Sequence, residues 1–167
     1  MANYRGHLGG AVAVCVVYVS AVSLIPVEWA IKTGYVLANW QFVAALFIVA
    51  MLFGLWPDID TNSKAQDVFF GLAFVCDIAL IATGRIEAAA YLGLLAMTPI
   101  VSKHRGWTHS KLAMVAVPLP VLLVPYLYSP GHFIPSLFFY GAALSGYFSH
   151  LLLDGLIWSK IRIKGGW

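Results

Sequence analysis

Charged side chains are scarce in this sequence: only 10% of its 167 residues are charged, whereas 61% are hydrophobic. A soluble domain of this size could not bury so much apolar surface, so the composition indicates an integral membrane protein. Cysteine is scarce too, because Cys15 and Cys76 are the only two and each lies inside an apolar run. Without a C-x-x-C pair we expect buried free thiols and no disulfide framework. The ten basic residues are scattered over loops, which excludes a nucleic-acid-binding stripe.

Apolar runs long enough to cross a bilayer recur along the chain, because a hydrocarbon core of roughly 30 Å needs about 20 helical residues. We predict an all-α polytopic membrane bundle of about six transmembrane helices in a single domain. The domain covers residues 1–167, and its predicted spans are 8–27, 36–56, 63–83, 86–101, 112–128 and 133–158. Ser63 followed by Gln66 is a capping-box pattern and sets the start of the third span. Three prolines predict kinks in the fifth span: Pro118, Pro120 and Pro125.

Basic residues are divided unevenly between the two sides of that bundle. With a cytoplasmic N-terminus, the outer loops hold only Lys32 and Arg85. The other eight of the ten lie on the inner side: Arg5, Lys64, Lys103, Arg105, Lys111, Lys160, Arg162 and Lys164. Because basic loops tend to stay in the cytoplasm, we predict that both termini are cytoplasmic.

The stretch 102–111, Ser-Lys-His-Arg-Gly-Trp-Thr-His-Ser-Lys, is unusually polar for so apolar a chain. The predicted topology places it at the cytoplasmic face, where it joins polar residues from three other segments. Seven candidate metal ligands gather there: His7, Asp58, Asp60, His104, His109, His150 and Asp154. His150 and Asp154 are four residues apart, so they share one side of a helix. His132 falls on the outer side and cannot join them.

Imidazole and carboxylate ligands together suit zinc, manganese or iron, and two ions need about six to eight such groups. We therefore predict a divalent-metal cofactor of two ions, with zinc preferred. Such a pair would supply a hydroxide nucleophile at neutral pH and hold a phosphoryl or carbonyl oxygen. Arg105 could bind a phosphate through two hydrogen bonds, and His104 could act as an acid or base. A site at headgroup depth favours membrane lipids as surroundings and a phosphorylated or ester-bearing lipid-like substrate, which predicts a metal-dependent hydrolase.

Two other functions fit parts of the pattern. The first is a non-catalytic metal-binding transporter or regulatory membrane protein, but transport requires ionisable groups along a path through the helices. Only Asp77 lies deep, about 20 Å into the third span, where we expect a protonated carboxyl or a hydrogen bond to a neighbouring helix. The second is a metal-free phosphatase with histidine nucleophiles, which would have little use for the Asp58-x-Asp60 pair.

Three motifs carry a resemblance to a known family: Leu-Trp-Pro-Asp-Ile-Asp at 55–60, His-Arg-Gly-Trp-Thr-His-Ser at 104–110 and His-Leu-Leu-Leu-Asp at 150–154. A weaker match, Arg-Gly-His at 5–7, precedes them. In this order, and over nearly the whole chain, they resemble the membrane-bound metal-dependent hydrolases of the YdjM type. The resemblance implies a hydrolase of the bacterial inner membrane whose metal-ligand positions are the seven residues named above.

Overall fold

The computed structural model describes residues 3–24, 39–59, 64–101 and 108–157. Within these ranges every regular element is a helix, so the all-α prediction is confirmed. The α-helices are α1 (Tyr4–Ser23), α2 (Trp40–Leu55), α3 (Lys64–Ala82), α4 (Ile86–Val101), α5 (Lys111–Ala116), α6 (Leu119–Tyr128) and α7 (Phe133–Leu153). Two short 3₁₀ turns, Trp56–Asp58 and Pro130–His132, follow α2 and precede α7.

Three helical segments of the described chain are long and apolar enough to cross a membrane: Tyr4–Ser23, Trp40–Asp58 and Phe133–Leu153. Shorter apolar helical segments cover Ile86–Met97 and Lys111–Leu127, within the fourth and fifth predicted spans. Many large apolar side chains point outward from these helices, as a hydrocarbon solvent requires. The chain is therefore a helical membrane protein, while the six-span count and the cytoplasmic termini stay predictions.

The first helix begins earlier than the apolar run predicts, because Asn3 caps it. The Asn3 side-chain oxygen accepts a hydrogen bond of 2.9 Å from the backbone N–H of Gly6, which satisfies a donor that the helix leaves open. His7, predicted to precede the first span, therefore lies within α1, and its side chain is fixed by the helix.

The last helix ends earlier than predicted, at Leu153 instead of residue 158. Gly155 has a φ of +70°, a conformation that glycine adopts without strain. The backbone N–H of Gly155 then donates to Leu152 and that of Leu156 to Leu151, which is the Schellman arrangement that closes a helix. Asp154 is consequently the C-cap residue of α7 and lies outside the helix interior.

Proline divides the fifth predicted span into two helices. α5 ends at Ala116, and α6 begins two residues after Val117. Pro118 has no N–H to continue the ladder, so the helix is interrupted where a kink was predicted. Pro120 lies in the first turn of α6, where the missing N–H costs nothing, and Pro125 lies inside α6.

Small residues let α1, α2 and α7 pack closely at the centre of the bundle. A β-carbon on Gly146 of α7 would collide with the Ala50 carbonyl oxygen of α2, and one on Gly54 would lie 2.7 Å from the Ala11 β-carbon of α1. Close backbone approach of this kind is the usual way for membrane helices to associate. It brings the ends of α2 and α7 together, and those ends carry the polar side chains described below.

The two cysteines are both free thiols, as expected. Cys15 is buried, but Cys76 is only half-buried on α3, which corrects the prediction of two buried thiols. The neighbouring residue, Asp77, is also half-buried, between α3 and α4 and opposite Gly93. Its buried Oδ1 atom has no hydrogen-bond partner in the part of the chain that the structure describes, so the expected bond to a neighbouring helix is not found there.

Candidate metal centre

Five of the seven predicted ligands converge at one end of the bundle. They come from four segments, namely α1, the 3₁₀ turn after α2, the turn before α5, and the end of α7. In that order they are His7, Asp58, His109, and the pair His150 and Asp154. The other two predicted ligands, Asp60 and His104, lie outside the described residues, as does Arg105.

Each of the two carboxylates faces all three imidazoles. Carboxylate oxygens of Asp58 lie 3.4–3.7 Å from the three histidine Nε2 atoms, and those of Asp154 lie 3.5–4.0 Å from them. Five of these six separations are 3.5–4.0 Å, longer than an ordinary hydrogen bond, and the sixth, 3.4 Å between His109 and Asp58, is at the long end of that range. Two atoms bound to one tetrahedral zinc at about 2.0–2.1 Å are about 3.3–3.4 Å apart, which is close to the observed spacing.

Four of these side chains could hold one metal ion. One ligand atom from each of them lies within 4.8 Å of all the others: Asp58, His109, His150 and Asp154. His7 stands beside this set, with its ring stacked on that of His150 at 3.8 Å between centroids. The chemistry of the donors, imidazole nitrogen and carboxylate oxygen, suits a borderline divalent cation such as zinc.

The orientation of His150 is set by the close approach of α2 and α7. Its Nδ1 atom lies 2.8 Å from the Gly54 carbonyl oxygen, and a carbonyl can only accept a hydrogen bond. Nδ1 therefore carries the proton, and Nε2 presents its lone pair to the two carboxylates. A backbone carbonyl that fixes the tautomer in this way is the usual support of a metal-binding histidine.

The burial of polar atoms in this cluster indicates that a further group binds them. The side chains of His7, His150 and Asp154 are 1%, 0% and 2% exposed. Among the described residues, no hydrogen-bond partner reaches either ring nitrogen of His7 or Nε2 of His150. A buried polar atom left in that state costs about 1–3 kcal/mol, and a bound cation would remove the cost. The residues present therefore fit a divalent metal.

The side chains of the cluster differ in their exposure. Asp58 and His109 are each 22% exposed, in contrast to the buried histidines and aspartate beneath them. These two side chains are therefore the most accessible of the five. Apolar residues close to the ligands in sequence belong to the buried core, among them Trp56, Ile59 and Leu151, each at most 3% exposed.

His109 and its turn are supported by Thr108 and Tyr147, neither of which was predicted to belong to the site. The His109 Nδ1 atom is 3.2 Å from the Thr108 hydroxyl, which is 3.4 Å from the Pro57 carbonyl oxygen. The hydroxyl of Tyr147 donates to the Thr108 carbonyl oxygen. Thr108 stood in the motif beside His109, but nothing near Tyr147 distinguishes it from an ordinary core aromatic residue.

His132 stays apart from the cluster, as predicted. It is exposed and lies at the opposite end of α7, about 27 Å from His150 along the helix axis. Asp67, near the start of α3, is exposed. Neither belongs to the candidate site.

Fold and site together define the class of protein: a helical membrane protein with a cluster of histidines and aspartates that could bind a metal ion. The family profile described as YdjM inner membrane protein matches residues 1–163. The chain belongs to this family, which confirms the resemblance to the YdjM type and supports a location in the inner membrane, while the hydrolase activity stays a prediction. No curated protein and no solved structure gives a significant match to the chain.

Proposed function

We propose that this protein is a metal-dependent hydrolase of the inner membrane that acts on a phosphorylated or ester-bearing lipid-like substrate. The observation that carries the proposal is the position of His150. A backbone carbonyl holds its Nδ1 atom, and its buried Nε2 atom faces Asp58 and Asp154 at 3.6 and 3.5 Å. Such an arrangement of lone pairs is repulsive unless a proton or a metal cation lies between them.

The residues that would hold a first ion are Asp58, His109, His150 and Asp154. Zinc is the metal that these donors favour, ahead of manganese or iron. His7 is positioned to serve a second ion, together with the predicted ligands Asp60 and His104. A divalent ion in such a site supplies a nucleophile at neutral pH and polarises a phosphoryl or carbonyl oxygen.

The chain's own residues provide orientation and access. Asp58 and His109 form the exposed edge of the site, so the scissile bond of a substrate would be placed against them. Asp154, which is buried, holds its position through the capped end of α7. Arg105 remains the predicted phosphate-binding residue, and His104 remains the predicted acid or base.

The position of the cluster favours an amphiphilic substrate. His7 lies near the start of α1, Asp58 ends the second apolar segment, and Asp154 follows the end of α7. All three therefore lie at the same end of membrane-length helices, which in a bilayer would correspond to the level of the lipid headgroups. A substrate with its acyl chains in the bilayer would present its ester or phosphoester bond at this depth.

Transport is less consistent with the same geometry. The metal-binding side chains occupy one end of the bundle and do not line a path through it. In the described ranges, Asp77 is the one acidic or basic residue that lies deep within a helix, and it is not part of the cluster. A regulatory protein that binds metal without catalysis remains the alternative that the experiment must separate.

The test uses the full-length protein purified in detergent. Metal content is measured by mass spectrometry, and hydrolysis is assayed against phospholipids and lipid phosphates in mixed micelles. We expect bound zinc, together with activity that a chelator removes and zinc restores. Activity should fall at least about 100-fold in His109→Ala, and His132→Ala should retain it because His132 lies at the far end of α7.

Two results would contradict the proposal in different ways. Stoichiometric metal without hydrolysis of any tested substrate class would indicate the non-catalytic alternative. Hydrolysis that survives complete removal of metal would indicate a metal-free phosphatase.

A further inference from the structure

Tyr147 is a buried phenol whose hydroxyl contacts the turn that carries His109. Its side chain lies on α7 one turn before His150, and the residue is fully buried. The hydroxyl donates to the carbonyl oxygen of Thr108, a residue 39 positions earlier in the chain. This bond joins α7 to the turn that carries His109.

Thr108 continues the connection to both neighbouring ligands. Its hydroxyl lies 3.4 Å from the carbonyl oxygen of Pro57, the residue directly before Asp58. The same hydroxyl lies 3.2 Å from the Nδ1 atom of His109, so Thr108 contacts both the backbone before Asp58 and the ring of His109. The second ring nitrogen of His109, Nε2, lies 3.4 Å from the Asp58 carboxylate.

Three ligand-bearing segments are therefore tied together by two side chains that do not touch the metal position. From these contacts we infer that Tyr147 and Thr108 are positioning residues of the metal centre. They fix the ring position of His109 and the distances between His109, Asp58 and His150. The inference rests on the proposed metal site and adds the residues that hold its ligands in position to bind an ion.

A purely structural role predicts a different outcome, and the chain offers a matched control. The Tyr18 hydroxyl of α1 donates to the Phe138 carbonyl of α7 at 3.1 Å, well away from the candidate site. Tyr18→Phe and Tyr147→Phe remove the same atom and the same type of bond. Only the second should affect metal binding if the tie to Thr108 serves the site.

The experiment compares four variants with the full-length protein: Tyr147→Phe, Thr108→Val, Thr108→Ser and Tyr18→Phe. Zinc affinity is measured by competition with a chromophoric chelator, and ligand geometry is read from the visible spectrum of the cobalt-substituted protein. Stability without metal is measured by chemical denaturation, and the ¹⁵N shifts of His109 report its tautomer.

We expect Tyr147→Phe and Thr108→Val to lower zinc affinity by about 10- to 100-fold and to change the cobalt spectrum. Thr108→Ser keeps the hydroxyl and should retain affinity, as should Tyr18→Phe. In Thr108→Val, the tautomer population of metal-free His109 should change because Nδ1 has lost its hydrogen-bond partner.

The inference is overturned if Tyr147→Phe and Thr108→Val bind zinc as tightly as the unmodified protein. It is also overturned if their loss of affinity is matched by Tyr18→Phe. Lower affinity in both variants, with no hydrolysis by the unmodified protein, contradicts the proposed catalysis and leaves the positioning role intact. An unmodified protein that binds no zinc contradicts both.

Discussion

The close approach of α1 and α2 at Gly54 offers a sharp test of how helix packing supports the metal centre. A β-carbon at Gly54 would lie 2.7 Å from the Ala11 β-carbon, whereas ordinary contact begins at 3.4 Å. In Gly54→Ala the two helices must therefore separate by about 0.7 Å (3.4 − 2.7). Overpacking of this kind costs about 1–3 kcal/mol of stability.

The same displacement acts on the candidate site, because α1 carries His7. Metal–ligand distances tolerate only about 0.2 Å of error, so a shift of about 0.7 Å should weaken zinc binding as well as folding. The assay is zinc affinity and chemical denaturation of the purified protein. Ala11→Gly removes the colliding atom, and the double variant should regain most of the lost affinity.

Gly71→Ala is the control for helix propensity alone. Among the described residues, nothing lies within 4 Å of a β-carbon at this position on α3. Stability should stay unchanged or rise by up to about 1 kcal/mol, with no effect on zinc. A Gly54→Ala protein that is as stable and binds zinc as tightly as the unmodified protein would refute the reasoning.

Three further predictions concern single positions. Asn3→Ala removes the cap of α1 and should cost about 1 kcal/mol, with faster hydrogen exchange at the Gly6 amide; unchanged exchange would contradict the cap. Gly155→Ala forces a side chain into a φ of +70° and should lower the free energy of unfolding by about 1–2 kcal/mol. Zinc affinity should fall as well, because Asp154 directly precedes Gly155. An unchanged zinc affinity would show that the end of α7 does not position Asp154 for the metal. Asp77→Asn, by contrast, should leave zinc affinity unchanged, since the carboxyl lies outside the cluster; a loss in a binding titration would place Asp77 in the metal site.

The convergence of distant ligands could be predicted because it follows from topology. Apolar runs define the helices, and alternate crossings return the chain to the same side. This was enough to place His7, Asp58, His109 and His150 at one level before any contact was known. The spacing of His150 and Asp154 added that both face one side of the last helix.

The ends of the helices and the supporting contacts could not be predicted in the same way. Hydropathy extends a helix through residue 158, but the positive φ of Gly155 ends it at Leu153. The Tyr147 hydroxyl donates a hydrogen bond to the backbone carbonyl of Thr108, 39 residues away, and no local sequence pattern identifies such a partner. These features depend on close helix packing, which emerges only when the whole bundle is assembled.

X-ray absorption spectroscopy at the zinc edge tests the metal centre most directly. For the zinc-loaded protein we predict nitrogen and oxygen neighbours at about 2.0–2.1 Å with the scattering pattern of at least two imidazoles. The imidazole pattern should weaken in His150→Ala and persist in His132→Ala. A protein that retains no zinc, or whose spectrum is the same in both variants, would contradict the assignment of this cluster as a metal site.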